Sequence, residues 1–342
     1  MTDCIVLGAG MVGVSTALAL QESGRQVVLV DRQAPGRETS YGNAGIIQTE
    51  AVEPYAFPRT LSGILRVALK RGNEVDWRLR DLPALAGPLP RYFAHSAPEG
   101  YARTVAAYRS LVLRASEDHA RFIEPTGAEN LIVKRGWRAI YRDPARFEKA
   151  AADAIRIGRD YGVHSIAQSG DDPAKAEPTL RLRLAGAVHW TSPWTCRDPG
   201  ELTARYAALF AARGGAIAYG DAATLRQAGA GWQVMTRDGP LQAEHAVLAL
   251  GPWSPGLVRK LGYRIPMVFK RGYHRHFAGK AGPDLSTLDE ENGIVIAPMD
   301  AGVRVLTRAH MAPLGALPSS RQITRAVQAA SELFELASAH VV

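Results

Sequence analysis

The first thirty residues combine two short apolar runs with one segment of helical apolar spacing. Asp3 to Leu7 is an apolar run that ends at a glycine, and Gln26 to Val30 is a second run rich in β-branched residues. Between them, Met11 to Ser23 carries apolar residues at helical spacing. This pattern predicts strand, helix, strand. From Gln33 to about Pro58 it gives way to Gly, Pro, Ser and Asn, which predicts a long loop.

The rest of the chain mixes helical and alternating patterns. The segment after Asp198 has the clearest helix start, with Asp198 as N-cap, Pro199 at the first position and Glu201 in the first turn, and it ends at Gly214 and Gly215. Helices are predicted at 104–123, 144–161, 198–213 and 319–340; a hairpin at 131–141; and strands at 216–219, 232–236, 245–250, 264–277, 293–298 and 303–309.

A glycine fingerprint joins the first strand to the first helix. Gly8 permits a tight turn, Gly10 allows a pyrophosphate to approach the backbone, and Gly13 allows the helix to pack closely on the sheet. The helix N-terminus at Met11 and Val12 offers backbone N–H groups to phosphates. Ala17, Gly24, Val28 and Asp31 continue the spacing, and Asp31 is placed to bind the ribose hydroxyls of an adenosine. The fingerprint predicts a dinucleotide-binding fold.

Composition and charge narrow the classes of function. Hydrophobic residues at 46% and charged residues at 22% are typical of soluble globular domains. The 41 Lys and Arg exceed the 33 Asp and Glu, but they form no arginine-rich run, so a nucleic-acid partner is not expected. The excess positive charge suits an anionic cofactor, an anionic substrate or loose contact with an acidic membrane surface. Cys4 and Cys196 form no CxxC, and no other metal-ligand spacing is evident. No long apolar span or secretory signal is recognised, which predicts a cytoplasmic protein.

The fingerprint leaves the choice between NAD and FAD open. Asp31 disfavours the 2′-phosphate of NADP. Dehydrogenases that bind NAD usually continue with regular strand and helix units, whereas this chain continues through residues 38–45, Glu-Thr-Ser-Tyr-Gly-Asn-Ala-Gly. With residues 247–254, Val-Leu-Ala-Leu-Gly-Pro-Trp-Ser, this segment resembles the D-amino-acid oxidase and dehydrogenase family of FAD-dependent oxidoreductases, and bacterial D-amino-acid dehydrogenases most of all.

The resemblance implies an α/β fold with two domains. A Rossmann-like FAD-binding domain would comprise 1–49 and 193–261, with residues 319–342 as its closing helix. An inserted α+β substrate domain, built on an antiparallel sheet, would comprise 50–192 and 262–318. The residues expected to bind FAD are Gly8, Gly10, Met11, Val12, Gly13, Asp31, Arg32, Ser40, Asn43, Ala44, Gly45 and Gly251.

The resemblance also places the substrate beside the strand that contains residues 269–277. On a strand, Tyr273 and Arg275 face one side while His274 and His276 face the other. Tyr273 or His274 would bind the amine or carboxylate, and Lys270 or Arg271 would attract the carboxylate; the alternative is a solvated basic strand. Tyr273, His274 and Arg271 are the expected catalytic residues, with Tyr55 a weaker candidate and no metal expected.

The implied activity is oxidation of a D-amino acid or a related imino acid to the 2-oxo acid and ammonia, with hydride transfer to the flavin. A membrane quinone or another molecule would accept the electrons, and peripheral membrane contact and oligomerisation stay open.

Family members continue past residue 342 and carry a carboxylate-binding arginine there, so the resemblance implies a C-terminally truncated member with low solubility and little turnover. The alternatives are a catalytically inactive FAD-binding protein or subunit and an NAD-linked dehydrogenase.

Overall fold

The computed structural model describes residues 2–69, 75–279, 281–337 and 339–340. Its strands are β1 (Cys4–Leu7), β2 (Val27–Asp31), β3 (Ile46–Ile47), β4 (Val75–Trp77), β5 (Ile132–Val133), β6 (Trp137–Tyr141), β7 (Ser165–Ser169), β8 (Gly186–Trp190), β9 (Trp194–Cys196), β10 (Ala216–Ala228), β11 (Gly231–Thr236), β12 (Gly239–Ala243), β13 (His245–Leu248), β14 (Lys270–Arg271), β15 (His274–Phe277), β16 (Thr287–Asp289), β17 (Ile294–Met299), β18 (Gly302–Thr307), β19 (Ala309–Met311) and β20 (Ala339–His340). Its helices are α1 (Met11–Glu22), α2 (Leu61–Ala68), α3 (Leu82–Leu85), α4 (Pro88–His95), α5 (Pro98–Val112), α6 (Ala115–Ile123), α7 (Pro144–Tyr161), α8 (Asp172–Ala176), α9 (Pro199–Ala212), α10 (Ser254–Lys260) and α11 (Ser320–Leu333).

These elements form two compact units, each assembled from three stretches of sequence. Unit 1 comprises Met1–Asn43, Ala120–Leu131 and Asp198–Met267, and unit 2 comprises Ala44–His119, Ile132–Arg197 and Val268–Val342. The sequence places the first boundary at 49/50 and the later ones at 192/193 and 261/262. The structure adds the short stretch Ala120–Leu131 to unit 1, because Phe122 packs edge-on against the buried Tyr206 of α9.

Unit 1 is built on a six-stranded sheet in the order β12-β11-β10-β2-β1-β13. Strands β10, β2, β1 and β13 are parallel, and β11 and β12 continue the sheet in antiparallel fashion. Strand β1 is buried along its whole length, as expected for the centre of a parallel sheet. Its Ile5 and Leu7 pack with Val30, Val234 and Leu257 in the core. The predicted succession of strand, helix and strand at the N-terminus is confirmed.

Helix α9 packs against α1 within unit 1. The predicted N-cap is present, because an Asp198 carboxylate oxygen accepts a hydrogen bond from the Glu201 N–H at 2.9 Å. The Gln21 amide on α1 donates to the carbonyls of Phe210 and Arg213 at the end of α9. These side-chain bonds hold the C-terminal ends of the two helices together.

Unit 2 is built on an eight-stranded sheet in the order β20-β15-β18-β17-β16-β6-β8-β7. Its strand pairs are antiparallel except for β16 and β6, which are parallel. Two three-stranded sheets accompany it, in the orders β14-β19-β4 and β3-β9-β5. Helix α11 packs over β15, β17 and β18 and contributes Ile323, Ala326, Ala330 and Leu333 to the core.

The predicted closing helix lies in unit 2, whereas the sequence placed it with residues 1–49. The physical reason is its buried apolar face, which matches Ile294, Ile296 and Val305 of the large sheet. The helix ends at Leu333, and the chain then adds β20 to the sheet edge, where Phe277 pairs with Ala339. The sequence suggested no such strand. Ser338, Val341 and Val342 of the predicted helix lie outside the described residues.

Three other predicted elements differ from the structure. The helix predicted at 104–123 is two helices, α5 and α6, separated by a turn at Leu113 and Arg114. The hairpin predicted at 131–141 is absent, because β5 pairs with β9 while β6 pairs with β8 and β16. Of the strand predicted at 264–277 only β14 and β15 form, since Pro266 lacks a backbone donor and Gly272 interrupts the run.

No helix in the described part of the chain is long and apolar enough to cross a membrane.

Candidate functional site

The glycine loop between β1 and α1 is closely packed against its surroundings in unit 1. Gly8 has φ +109°, and a Cβ there would lie 2.5 Å from the Ala249 carbonyl oxygen. A Cβ at Gly13 would lie 1.7 Å from the Gly8 carbonyl oxygen, so α1 packs directly on the turn. The left-handed φ and the two close approaches require glycine at both positions. This agrees with the roles that the fingerprint predicts.

The N-terminus of α1 is open to a ligand. A helix leaves its first N–H groups without intrahelical acceptors, and Gly10 at the N-cap provides no side-chain acceptor. The first turn carries no acidic residue, and Val12 is 70% exposed. A Cβ at Gly10 would meet only the Ser40 hydroxyl, at 3.3 Å. The Met11 N–H is already bonded to Ser40 Oγ, and the next N–H groups at this positive helix end fit the phosphates of a dinucleotide.

Ser40 and Asn43 form the turn that faces this helix start. The Ser40 Oγ accepts a hydrogen bond from the Met11 N–H at 3.0 Å, and the Asn43 amide donates to the Ser40 carbonyl at 2.8 Å. The loop predicted to bind the cofactor is therefore attached to the fingerprint within unit 1. Ala44 and Gly45 belong to unit 2, where Ala44 packs near Ala297 and Met299.

Asp31 stands at the end of β2 with both carboxylate oxygens engaged. Oδ2 accepts from the Ala9 N–H at 2.6 Å, and Oδ1 accepts from the Gln33 N–H at 2.9 Å. An ionised carboxylate has about four acceptor positions, so two are left for ribose hydroxyls. Asp31 therefore ties β2 to the glycine loop, a structural role that the motif did not reveal.

Arg32 and Gly251 complete the predicted cofactor residues of unit 1. The Arg32 guanidinium forms an ion pair with Glu38 at 2.7 Å and lies 4.5 Å from the centroid of the Trp253 ring. Gly251 has φ +53°, and a Cβ there would meet nothing within 4 Å. The space beside Gly251 is therefore open on the side where a Cβ would lie.

The predicted catalytic residues lie in unit 2, and each has partners there. The Tyr273 hydroxyl bonds to His310 Nδ1 at 2.9 Å and accepts from the Ser319 N–H at 3.1 Å. The Arg271 guanidinium donates to the carbonyls of Leu314 and Ala316. Arg271 is therefore a loop anchor in this structure, and a carboxylate would have to compete with these two carbonyls for it.

His274 and the neighbouring candidates are spread over a wider surface of unit 2. Burial and the Arg304 guanidinium hold the pKa of His274 below its usual value, and its ring lies 5.6 Å from that of His276. Lys270 lies over the Tyr92 ring, and the Tyr55 carbonyl accepts a hydrogen bond from the Tyr92 hydroxyl. No group of three or more His, Cys, Asp or Glu side chains in the described part of the chain could hold a metal ion.

Three titratable residues of unit 2 were missed by the sequence reasoning. His310 is completely buried, Asp81 is 4% exposed, and Glu50 is 5% exposed. Burial raises the pKa of Glu50, whose oxygens accept from the Gln48 amide and the Thr49 N–H. None of the three lies in a recognisable motif. His310 and Asp81 are distant in sequence, and Glu50 bonds to its sequence neighbours Gln48 and Thr49 but is buried only by the fold, so the sequence contained no usable signal.

The fold of unit 1 and its glycine loop define a dinucleotide-binding α/β protein. Residues 3–341 match the model of the DAO family, described as FAD dependent oxidoreductase, and the chain belongs to this family. FAD is therefore its cofactor, and the open α1 N-terminus, the glycine turn and Asp31 fit the pyrophosphate and adenosine of that cofactor. The predicted family, fold class and cofactor are confirmed.

Individual relatives support the same assignment. The chain is 30% identical to a D-amino acid dehydrogenase of Dechloromonas aromatica over 316 residues, which cover 88% of this chain and 75% of the relative. It is 28% identical to a D-amino-acid oxidase of Bradyrhizobium diazoefficiens, over 92% of this chain and 75% of the relative. The crystal structure of glycine oxidase from Geobacillus kaustophilus superposes with a TM-score of 0.68 at 16% identity, covering 98% of this chain and 80% of that one. At that identity the likeness concerns the fold alone.

Proposed function

We propose that this FAD-dependent oxidoreductase oxidises D-amino acids, or related imino acids, to the 2-oxo acid and ammonia. The observation that carries the proposal is the 30% identity to a D-amino acid dehydrogenase over 88% of the chain. The bound FAD would supply the acceptor for the two electrons that leave the substrate as a hydride. The chain's own contribution would be to bind the cofactor and to hold the substrate in a reactive position.

The dinucleotide half of FAD would be held by unit 1. The helix N-terminus would bind the pyrophosphate, Asp31 the ribose, and Arg32 with Trp253 the planar adenine. The loop from Ser40 to Gly45 would continue along the cofactor. The complete proposed set is Gly8, Gly10, Met11, Val12, Gly13, Asp31, Arg32, Ser40, Asn43, Ala44, Gly45 and Gly251.

The substrate would be held by unit 2. Tyr273 is the best placed of the three candidates, because it is half-buried and its hydroxyl keeps one lone pair beyond its two hydrogen bonds. His274, neutral because its pKa is lowered, would add a hydrogen-bonding group. Arg271 would serve the carboxylate only if it left the carbonyls of Leu314 and Ala316.

The experiment is anaerobic reduction of the purified protein. We expect an absorption band near 450 nm that is bleached by a D-amino acid and left unchanged by its L-enantiomer. The series should include D-alanine, D-phenylalanine, D-proline and glycine, since the side chain is unspecified. Bleaching by NADH alone would favour nicotinamide chemistry, and a yellow protein bleached by no amino acid would indicate an inactive FAD-binding protein or subunit. Either result would overturn the proposal.

A membrane quinone is the proposed electron acceptor, reached by peripheral contact with an anionic lipid surface. Helix α2 begins at Thr60, whose hydroxyl accepts from the Gly63 N–H. Leu61, Ile64 and Leu65 are exposed on this helix, and Leu69 is exposed at its end. The surrounding sequence 55–73 contains four Lys or Arg and no Asp or Glu. An exposed apolar stripe within a basic segment is typical of interfacial helices.

Vesicle sedimentation tests this contact. We expect the protein to sediment with vesicles containing phosphatidylglycerol and to remain in solution with phosphatidylcholine alone. Leu61→Ser with Leu65→Ser should abolish sedimentation, whereas Leu111→Ser, an equally exposed leucine on α5, serves as the control. If the Leu61→Ser, Leu65→Ser variant sediments as much as the Leu111→Ser control, α2 is not the membrane contact. Reduction of a soluble quinone analogue faster than of oxygen would support the acceptor.

A further inference from the structure

His310 is buried at the centre of the small sheet β14-β19-β4. It lies on β19, with Arg271 of β14 and Asp76 of β4 as its register partners. Its side chain has no exposed surface. A buried imidazole needs partners for both ring nitrogens, so those partners define its protonation state.

One ring nitrogen faces Tyr273. His310 Nδ1 lies 2.9 Å from the Tyr273 hydroxyl oxygen, and the two rings stack with an interplanar angle of 29°. The Ser319 N–H donates to the same hydroxyl at 3.1 Å. Because a backbone N–H can only donate, one lone pair of the Tyr273 oxygen is occupied.

The other ring nitrogen faces Asp81. His310 Nε2 lies 4.0 Å from Asp81 Oδ2, and Asp81 is itself 4% exposed. Within the described residues neither atom has a hydrogen-bond partner. A buried carboxylate oxygen and a buried ring nitrogen that face each other without other partners stabilise one another best when the nitrogen carries the proton.

This arrangement decides between the two neutral tautomers of His310. With the proton on Nε2, the N–H points to Asp81 and Nδ1 accepts the hydrogen of the Tyr273 hydroxyl. With the proton on Nδ1, a bare Nε2 lone pair would face the Asp81 carboxylate, and both buried groups would be left unsatisfied. The first tautomer satisfies Tyr273 and His310 Nδ1 and turns the Nε2–H toward Asp81 Oδ2, which at 4.0 Å is an electrostatic contact and not a hydrogen bond.

We propose that Asp81 and His310 are positioning residues that make the Tyr273 hydroxyl a proton acceptor for the substrate's ammonium group. The proposal rests on the proposed function, in which Tyr273 touches an amino acid. The remaining lone pair of the Tyr273 oxygen would accept an ammonium N–H. His310 and Asp81 would reach the substrate only through that oxygen.

The proton transfer balances within these groups. An ammonium proton passes to the Tyr273 oxygen while the Tyr273 proton passes to His310 Nδ1. The amine becomes neutral, the phenol is regenerated, and the imidazolium formed at His310 is opposite the Asp81 carboxylate. No oxidant is consumed in this step, and the neutral amine is the form from which a hydride can leave.

The charges around His310 act in two directions: burial and the guanidinium groups of Arg78 and Arg271 disfavour the imidazolium, and Asp76 and Asp81 favour it. Burial, the largest of these effects, holds the pKa of His310 below its usual value. The imidazole is therefore neutral near pH 7 and available as an acceptor. Arg80 also lies near, 4.0 Å from Asp81 Oδ1. Asp81 is the group that stabilises the charged imidazole once the proton arrives.

The tautomer is tested directly by NMR of protein labelled with 15N-histidine, without reference to turnover. The His310→Gln variant identifies the His310 signals among those of the nine histidines. We expect a neutral imidazole with its proton on Nε2 at pH 7, and a loss of the downfield Nε2–H signal in Asp81→Asn. A proton on Nδ1 would overturn the proposal, whatever substrate the enzyme uses.

The proton transfer is tested by the pH dependence of anaerobic flavin reduction in the FAD-loaded enzyme. Loss of a general base lowers rates by about 100-fold or more, so we expect losses of this size at pH 7 in Tyr273→Phe and His310→Gln. Activity should recover at high pH, where the amine arrives unprotonated. Tyr263→Phe and His245→Gln, at exposed sites in unit 1, are the matched controls.

The outcomes separate this proposal from the proposed function. If the wild-type flavin is reduced by no D-amino acid, the proposed function fails and the NMR result alone judges the tautomer. If the wild type is active but the variants lose rate equally at every pH, with FAD content unchanged, the residues are structural and the proposal fails. The proposal is supported if Tyr273→Phe and His310→Gln lose rate at pH 7 and regain it at high pH, while the control variants keep the wild-type rate throughout.

Discussion

At the scale of single residues, the glycines of the fingerprint have different reasons to be glycine. Gly8 and Gly13 lie against backbone atoms, which cannot move without disturbing the turn. Gly10 faces only the Ser40 hydroxyl and the open helix start. The first two therefore serve the fold, and we expect Gly10 to serve the ligand.

Alanine substitutions should separate these two roles. Gly13→Ala is expected to lower the free energy of unfolding by about 1–3 kcal/mol or more, because its Cβ overlaps the Gly8 carbonyl. Gly10→Ala should fold normally and lose FAD affinity. Urea denaturation of the FAD-free protein and FAD titration would measure both effects. Gly256→Ala, where a Cβ meets nothing within 4 Å, is the control. Equal loss of stability in all three variants would contradict this assignment.

Asp31 combines both roles in one carboxylate. Asp31→Ala removes the acceptors of the Ala9 and Gln33 N–H groups as well as the proposed ribose contact. We expect about 1.5–3 kcal/mol less stability without FAD, and a separate loss of FAD affinity of similar size. Denaturation and calorimetric FAD titration test the two losses. An affinity loss with unchanged stability would show that Asp31 serves the ligand alone.

At the scale of elements, the side chain of Glu53 attaches the segment that precedes α2 to helix α7. Glu53 accepts two hydrogen bonds from the Arg156 guanidinium, at 2.7 and 2.8 Å, and one from the Tyr161 hydroxyl at 3.0 Å. The Arg156 hydrogen bonds hold the pKa of Glu53 below its usual value. The ionised form of Glu53 is therefore the one that stabilises the folded state.

This contact should contribute its full stability above the pKa of the unfolded glutamate. With a lowered pKa in the folded state, the contribution is complete near pH 7 and disappears as the pH falls through the folded value. Glu53→Gln should cost about 1 kcal/mol at pH 7, because the pair is partly exposed. Near pH 3 the cost should shrink. Urea denaturation at both pH values checks this, with the exposed Glu148→Gln on α7 as the control. A constant cost would refute the electrostatic origin.

Helix α11 illustrates how packing selects the partner of an amphipathic element. Leu333 has no exposed surface and lies in the core of unit 2. Leu333→Ala should cost about 2–5 kcal/mol, the range for a leucine removed from a packed core. Exchange of amide hydrogens should rise in β17 and β18 and stay unchanged in β1 and β2. Gln328→Ala, exposed on the same helix, is the control. Faster exchange in β1 would place the helix with unit 1 after all.

At the scale of the whole molecule, cofactor binding and folding are linked. A ligand that binds only the folded state stabilises it by about 2.7 kcal/mol at 100 times its dissociation constant. We expect FAD to raise the melting temperature of the FAD-free protein. ADP should also raise it, because it carries the pyrophosphate and adenosine bound by unit 1, and riboflavin should not. Differential scanning calorimetry measures the shifts. A larger effect of riboflavin than of ADP would contradict the proposed nucleotide site.

Much of the proposed nucleotide site rests on features that a sequence can reveal, because their chemistry is local. A sharp turn needs glycine, a helix start leaves N–H groups open, and an acid at the end of the next strand reaches the same ligand; all lie within residues 8–31. Buried parallel strands such as β1 are also recognisable from continuous apolar residues. The family, the fold class and FAD followed from these features together with the resemblance.

The arrangement of unit 2 was not predictable, because it depends on pairings between distant segments. Strands β5 and β6 look like a hairpin in sequence but join different sheets, and the sequence of α11 predicts an apolar face without specifying the core of unit 2 as its partner. Tyr273, His310 and Asp81 show the same limit for chemistry: each is unremarkable in its own segment. A histidine acquires its tautomer and basicity from the atoms that burial brings to its two nitrogens, and folding alone brings Asp81 and Tyr273 there.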